Sequence, residues 1–334
     1  MLNRNSAIKI NVITIIAVYF LIFVGGFVRN MESGMGCPDW PKCFGYYIPP
    51  TSDVDLPNNY QEVYLEKRIR KNIKLSGLLS SLGLQKLSKK ILEDKRIYKT
   101  EAFSVKTAWV EYINRLIGVV IGFLIVLNLI TSFSIHTKSV RVLALSSLIL
   151  VLFQGWVGSL VVSTNLLPGF ITFHMFLALL LVSLLIIQRV KTLQTKNIYQ
   201  PYKKPILVLL LFFLIQMFLG VNVREQIDMI KELGINKPLW IEELNIIFYV
   251  HRSFSIIIMC LLGWLFYKTN SHGKRNPIVS TLVVLVIIEV LLGAIMAYFG
   301  FPMLTQAVHL LFGSLAFGLI VYMQTISISK ISYQ

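Results

Sequence analysis

Acidic side chains are few in this chain: 16 Asp and Glu stand against 32 Lys and Arg, and only five of the acids are Asp. Those five are scattered, which excludes the Asp-rich Mg²⁺-diphosphate site a polytopic prenyltransferase would need. Cysteine is also sparse, and three residues limit the chain to one internal disulfide. Charge as a whole is low, 14% of 334 residues against 55% hydrophobic, with a mean hydropathy of +0.70. That balance excludes a soluble globular chain and leaves no room for a separate soluble domain of ordinary size.

What is present is long apolar runs. A span needs about 20 mainly apolar residues. Eight runs qualify, near 9–29, 109–133, 140–162, 169–188, 204–223, 246–267, 277–299 and 303–325. The expected fold is an all-α polytopic membrane protein with eight transmembrane helices. The net charge of +16 is an orientation signal before it is anything else. Arg4 and Lys9 precede or open the first span, and Lys138 and Arg141 fill the second loop. Arg189, Lys191, Lys196, Lys203 and Lys204 surround the fourth loop, and Lys268, Lys274 and Arg275 the sixth. No charge lies between spans 3 and 4 or between 7 and 8. Positive residues in short loops mark the cytoplasmic side, so both termini are expected inside. The first run is too long for a signal peptide and lacks a small-residue cleavage site, and no Arg- and Ser-rich transit segment precedes it. A bacterial cytoplasmic membrane is the expected location.

The chain repeats itself. Gly25 and Arg29 at the end of span 1 match Gly220 and Arg224 at the end of span 5. Tyr112-Ile113-Asn114-Arg115 matches Tyr249-Val250-His251-Arg252, and Gly158 precedes His174 by the same interval as Gly293 precedes His309. Pro168 and Pro302 fall in nearly matching places, and Gln154 corresponds to Glu289. Spans 1–4 are therefore read as repeated in 5–8, giving an N-terminal half (1–200) and a C-terminal half (201–334), two tandem four-helix bundles related by a pseudo-twofold axis along the membrane normal. The main difference is the first outer loop, about eighty residues in one half and about twenty in the other. Within it, Tyr60 to Lys95 reads as amphipathic helix, either lying on the membrane surface or capping the bundle.

An ionisable side chain inside a span is a functional-site hypothesis by default, and neutral imidazole is the commonest protein ligand of haem iron. Of five histidines, His174, His251 and His309 fall at related intramembrane positions, with Asn114 at the fourth. His251 and His309 make a bis-His pair, while the first half has His174 alone. Arg115 and Arg252 follow the ligand positions directly, and Arg29 and Arg224 cap spans 1 and 5. Each is a candidate partner for haem propionates, with snorkelling to the interface the alternative for Arg29 and Arg224. Glu111 stands three residues before Asn114, hence on the same helix face, and suits proton delivery. Its counterpart is Phe248, so one half is expected to do chemistry and the other to carry electrons. Glu289 is open between a structural hydrogen bond and a functional role. Cys37 and Cys43 fall on the outer side with spacing compatible with a small closed loop, which spacing alone leaves open; Cys260 is expected as a buried apolar filler.

Together, Gly25 to Arg29, Ser33-Gly34-Met35-Gly36-Cys37-Pro38-Asp39-Trp40-Pro41-Lys42-Cys43-Phe44-Gly45, Glu111 to Arg115, Gln154-Gly155 with His174, His251-Arg252, and Gln306 with His309 resemble the haem A synthase family. The resemblance covers all eight spans and is weaker in residues 51–105. It implies oxidation of the C8 methyl of haem O to a formyl group through hydroxylation, giving haem A for a terminal oxidase. It also implies haem b on His251 and His309, substrate haem on the His174 side, a Cys37–Cys43 disulfide, and a catalytic acid at Glu111. Haem O synthase and the oxidase assembly follow as partners. The family pattern in span 2 is Glu-x-x-His-Arg, and Asn114 departs from it. Asn is a poor iron ligand, so the expectation is an open coordination position beside Glu111, with Asn114 a catalytic residue that hydrogen-bonds an iron-bound oxygen species; the alternatives are ligation by another residue or a half that has lost turnover. The alternative functional class is a dihaem electron-transfer protein or haem carrier that leaves the haem unaltered.

Overall fold

The computed structural model describes residues 3–31, 33–100, 102–194, 199–270, 275–302 and 304–328; Lys196 and Lys274 lie outside them. Among the described residues there are ten α-helices and no strand. They are α1 (Arg4–Asn30), α2 (Tyr60–Ser81), α3 (Gln85–Glu93), α4 (Val105–Ser132), α5 (Lys138–Ser163), α6 (Pro168–Leu193), α7 (Lys203–Glu232), α8 (Ile246–Thr269), α9 (Pro277–Tyr298) and α10 (Thr305–Ile328). Among the described residues, α1 and α4 to α10 are the eight helices long and apolar enough to cross a membrane. The chain is an all-α, multi-pass membrane protein. Large apolar side chains such as Phe20, Phe123, Leu152, Ile256 and Leu291 stand exposed on these helices, where hydrocarbon is their solvent. A helix suits that solvent because it satisfies its backbone hydrogen bonds internally.

The chain forms two compact units. The first comprises Met1–Gly26, Leu124–Ser147 and Leu179–Gln334. Within it α7 packs on α8, α8 on α9, α9 on α10 and α10 back on α7, closing a four-helix ring. Asn128 and Gln188 in this unit exchange hydrogen bonds at 2.9 and 3.2 Å, and Asn11 donates to the Leu185 carbonyl at 3.3 Å. Asn276 caps the start of α9 by accepting from the Ile278 and Val279 N–H groups, with Pro277 in the first turn. Cys260 is exposed on α8, so the expectation of a buried filler is corrected. An apolar thiol costs nothing on a lipid-facing surface, so no packing demand places it inside.

The second unit comprises Phe27–Phe123 and Leu148–Ala178. Here the continuous helix expected over 60–95 is two helices. Gly83 takes φ +80°, its N–H donates to the Ser80 carbonyl, and the Leu84 N–H reaches back to Leu79 at 2.9 Å. This is a glycine-terminated helix end that satisfies carbonyls the helix leaves open. The apolar period continues through it, which is why the pattern hides the break. Of the two readings for this segment, the structure takes the cap. Leu75, Leu79 and Ile91 bury against Leu167, with Leu160 and Phe170 beside them. The buried Asn72 donates to the Ser163 carbonyl at 2.6 Å, and Asn165 to the Arg96 carbonyl at 2.6 Å. Burying each such Leu or Ile contributes about 1.5–3 kcal/mol, and the amide bonds fix the register on the α5–α6 turn. Leu78, Leu82, Leu84 and Leu87 are left outward.

Candidate functional site

In the second unit the polar site is built on α4, where Glu111 and Arg115 stand one turn apart, 4% and 14% exposed, and form an ion pair. Both hold the loop that follows α1. Glu111 Oε2 accepts from the Cys37 N–H at 2.8 Å. Arg115 donates to the carbonyls of Asp39 at 2.6 Å, Cys37 at 2.9 Å and Lys42 at 3.1 Å. The loop is closed by the Cys37–Cys43 disulfide, Cα–Cα 4.7 Å. Asp39 tightens it by accepting from the Phe44 and Gly45 N–H groups at 2.7 and 2.9 Å. Gly36 is required by contact: a Cβ there would run into the backbone of Thr107 and Ala108. Phe44 anchors the loop edge-on against Tyr60, Tyr64 and Phe103. Burial first, then Asp39 and Tyr46, push the Tyr64 hydroxyl up to about 12.

One helical face thus carries Glu111, Arg115 and, between them, Asn114, whose Oδ1 is buried without a hydrogen-bond partner. In the same unit His174 on α6 packs against α5. A Cβ on Gly158 would lie 3.4 Å from its ring, and the ring interacts with the backbone of Gln154. Arg115, read from sequence as a propionate partner, spends its guanidinium on the loop and Glu111. Arg29 is half-buried at the end of α1.

In the first unit His251 on α8 and His309 on α10 are near enough to interact electrostatically. A Cβ on Gly220 would lie 3.0 Å from the His251 ring, which interacts with the backbone of Gln216, while Gln216 Nε2 donates to the His251 carbonyl at 3.0 Å. His309 Nδ1 lies 3.1 Å from Glu289 Oε2. Arg224 pairs with Asp228 at 2.9 Å and donates to Gln306. Arg252 is exposed, its guanidinium 5.5 Å from the centre of the Tyr249 ring.

The residues present fit a porphyrin-bound iron. Nδ1 of His174, His251 and His309 is buried in each case without a hydrogen bond of ordinary geometry, as for rings held edge-in with the other nitrogen left to a metal. Among the described residues no group of three or more His, Cys, Asp or Glu converges as a protein-only metal site would require. Sequence reasoning placed the histidines but missed Gln216 as a support. The spacing that marks it is a Gln or Glu four residues before a glycine, present at Gln154–Gly158, Gln216–Gly220 and Glu289–Gly293, whereas the span holding Gly25 has Leu21.

Fold and site define a multi-pass helical membrane protein with a histidine-lined site in each of its two units. Residues 9–76 and 84–321 match the family described as "Cytochrome oxidase assembly protein" (COX15-CtaA), and the chain belongs to that family. It is 22% identical over 338 residues to the "Heme A synthase" of Wolbachia pipientis wMel, covering 92% of this chain and 88% of that protein. It is also 25% identical over 181 residues to the "Heme A synthase" of Shewanella oneidensis, covering 54% of this chain and 44% of the relative's length.

Proposed function

We propose that this chain is a haem A synthase, oxidising the C8 methyl of haem O to a formyl group and supplying haem A for a terminal oxidase. Each of two hydroxylations replaces a C–H bond of the methyl by C–OH, a two-electron oxidation of the carbon whose oxygen atom and oxidant come from outside the chain; the first leaves a hydroxymethyl group, the second a gem-diol that loses water to the formyl. The observation that carries this reading is the asymmetry between the two sites. One has a complete histidine pair. The other has a single histidine, an unpartnered buried amide, and a carboxylate one turn away.

His251 and His309 would hold haem b, which supplies one-electron transfer when bound. His174 would hold the substrate haem, and Asn114, a poor ligand, would supply no second protein ligand to its iron. Glu111 is the group that takes or gives a proton there. Its orientation is set by the Cys37 N–H and Arg115, so the disulfide loop acts as a brace for the catalytic carboxylate. Arg252 and Arg29 are the propionate partners this reading favours, with Arg224 supporting from its pair with Asp228. The substrate half is 1–200 and the haem b half 201–334, in the tandem arrangement described above. The protein sits in a bacterial cytoplasmic membrane with both termini inside, receiving haem O from its synthase.

Co-expression with a haem O synthase, followed by extraction of haems and chromatography with mass detection, tests this directly. Haem A or its hydroxymethyl precursor is the expected product. Unaltered haem O and haem b from well-folded, haem-loaded protein would instead identify an electron-transfer protein or carrier.

A further inference from the structure

The three histidines share one packing arrangement, and one of the three departs from it chemically. Each ring lies against a helix in which a residue with a polar side chain stands four positions before a glycine. For His174 and His251 that residue is Gln154 or Gln216, a neutral amide. For His309 it is Glu289. The Glu289 side chain is 14% exposed, its Oε2 lies 3.1 Å from His309 Nδ1, its Oε1 has no hydrogen bond, and the ring also interacts with the Glu289 backbone, as His174 and His251 do with Gln154 and Gln216. Space for the carboxylate is cut into α10 one turn after His309: a Cβ on Gly313 would stand 3.2 Å from Glu289 Oε2. A carboxylate among apolar helices is costly unless something hydrogen-bonds it. The imidazole N–H and the Gly313 backbone are the groups the structure sets within reach.

We infer that Glu289 is a positioning residue that fixes the ring of His309 and lowers the reduction potential of the haem carried by His251 and His309. The inference rests on the haem b reading above. An imidazole that ligates iron through one nitrogen keeps its proton on the other. A carboxylate accepting that N–H holds the tautomer and the ring angle, and makes the ring a stronger electron donor to the metal. A stronger donor stabilises ferric over ferrous iron. The amide at Gln154 offers no such charge to His174. The Glu-for-Gln difference at matching positions therefore biases the haem of the complete pair toward the ferric state, a bias that Gln154 does not give on the other side.

The test is a spectroelectrochemical titration of the purified, haem-loaded full chain. Glu289→Gln is expected to keep haem and the low-spin bis-His spectrum while shifting the reduction equilibrium at least tenfold toward ferrous, about 59 mV for one electron. Glu289→Asp, which keeps the charge, is expected to fall between the two. An unchanged midpoint in a haem-loaded Glu289→Gln protein overturns the inference. Should Glu289→Gln not fold, Gln154→Glu carries the test by installing a carboxylate beside His174; it is expected to lower the midpoint of the haem on that side, and no shift counts against the proposal. His309→Ala separates this from failure of the underlying reading. If the low-spin haem and its midpoint survive that change, His309 is no ligand and the haem b assignment itself falls.

Discussion

In one unit, His251 on α8 and His309 on α10 interact electrostatically, with Gln216 beside the first, Glu289 beside the second, and Phe248 three residues before His251. In the other, the matching places hold Asn114 and His174, backed on the His174 side by Gln154, and the position of Phe248 is taken by Glu111. The glycine notch that seats a ring is kept at Gly158 and at Gly220, where the ring approaches closely, while nothing lies within 4 Å of a Cβ on Gly25. The comparison teaches that packing and chemistry separate at positions matched in sequence. Small residues preserve the seat, and exchange of the side chain at a matching position, His251 for Asn114 or Phe248 for Glu111, changes what surrounds it. It also shows where the second unit invests its extra chain: the long first loop supplies a disulfide brace that presses on Glu111 and Arg115.

The comparison breaks most visibly at the complete pair. His251→Ala or His309→Ala is expected to abolish the low-spin bis-His signal in visible and paramagnetic resonance spectra, whereas His174→Ala leaves it in place. Equal loss from all three would mean the units do not hold separate haems. Next, Asn114→His is expected to make the incomplete site resemble the complete one and add a second low-spin component. Unchanged coordination would sink the open-position idea.

A smaller effect is expected from Glu111→Ala. It strands the buried Arg115 guanidinium and the Cys37 N–H, and removing one partner of a buried ion pair costs about 3–5 kcal/mol. Thermal unfolding in detergent should show a clear fall, and Phe248→Ala, with no ion pair to break, should show less. The smallest effect is outside the spans. The Arg96 side chain bonded to Asp94 at 2.6 Å holds that carboxyl below its usual value of 3.8. The stability this contributes is present above the ordinary carboxylate value and is lost as pH falls through the lowered one. Asp94→Asn is therefore expected to lower stability slightly at neutral pH, flatten the acid limb of a stability-against-pH curve, and leave the lowest pH values nearly unaffected.

How much of this was legible in the sequence varies with the range of the interaction. The eight spans follow from local composition, and each predicted run lies within or beside an observed helix. The glycine break between α2 and α3 was hidden because Leu78, Leu79, Leu82, Leu84 and Leu87 keep an apolar rhythm across it, while Gly83 alone carries the turn. Arg115 looked like an anion-binding residue beside a ligand, and it is one in chemistry, yet what it binds is a ring of backbone carbonyls from a loop. Side-chain type names the kind of partner without naming the partner.

By itself the sequence determined the class of protein, because a span's length and apolarity are set by hydrocarbon thickness and backbone hydrogen bonding, both local requirements. It also determined the ligand candidates, because a histidine inside such a run is rare enough to stand out. Only the tertiary structure decided that Glu111 and the Cys37 amide, 74 residues apart, meet as acceptor and donor, and that Glu289 comes within 3.1 Å of His309. Those pairings depend on how whole helices and loops pack, and a hydrogen bond is made or lost over a few tenths of an ångström that no local pattern encodes.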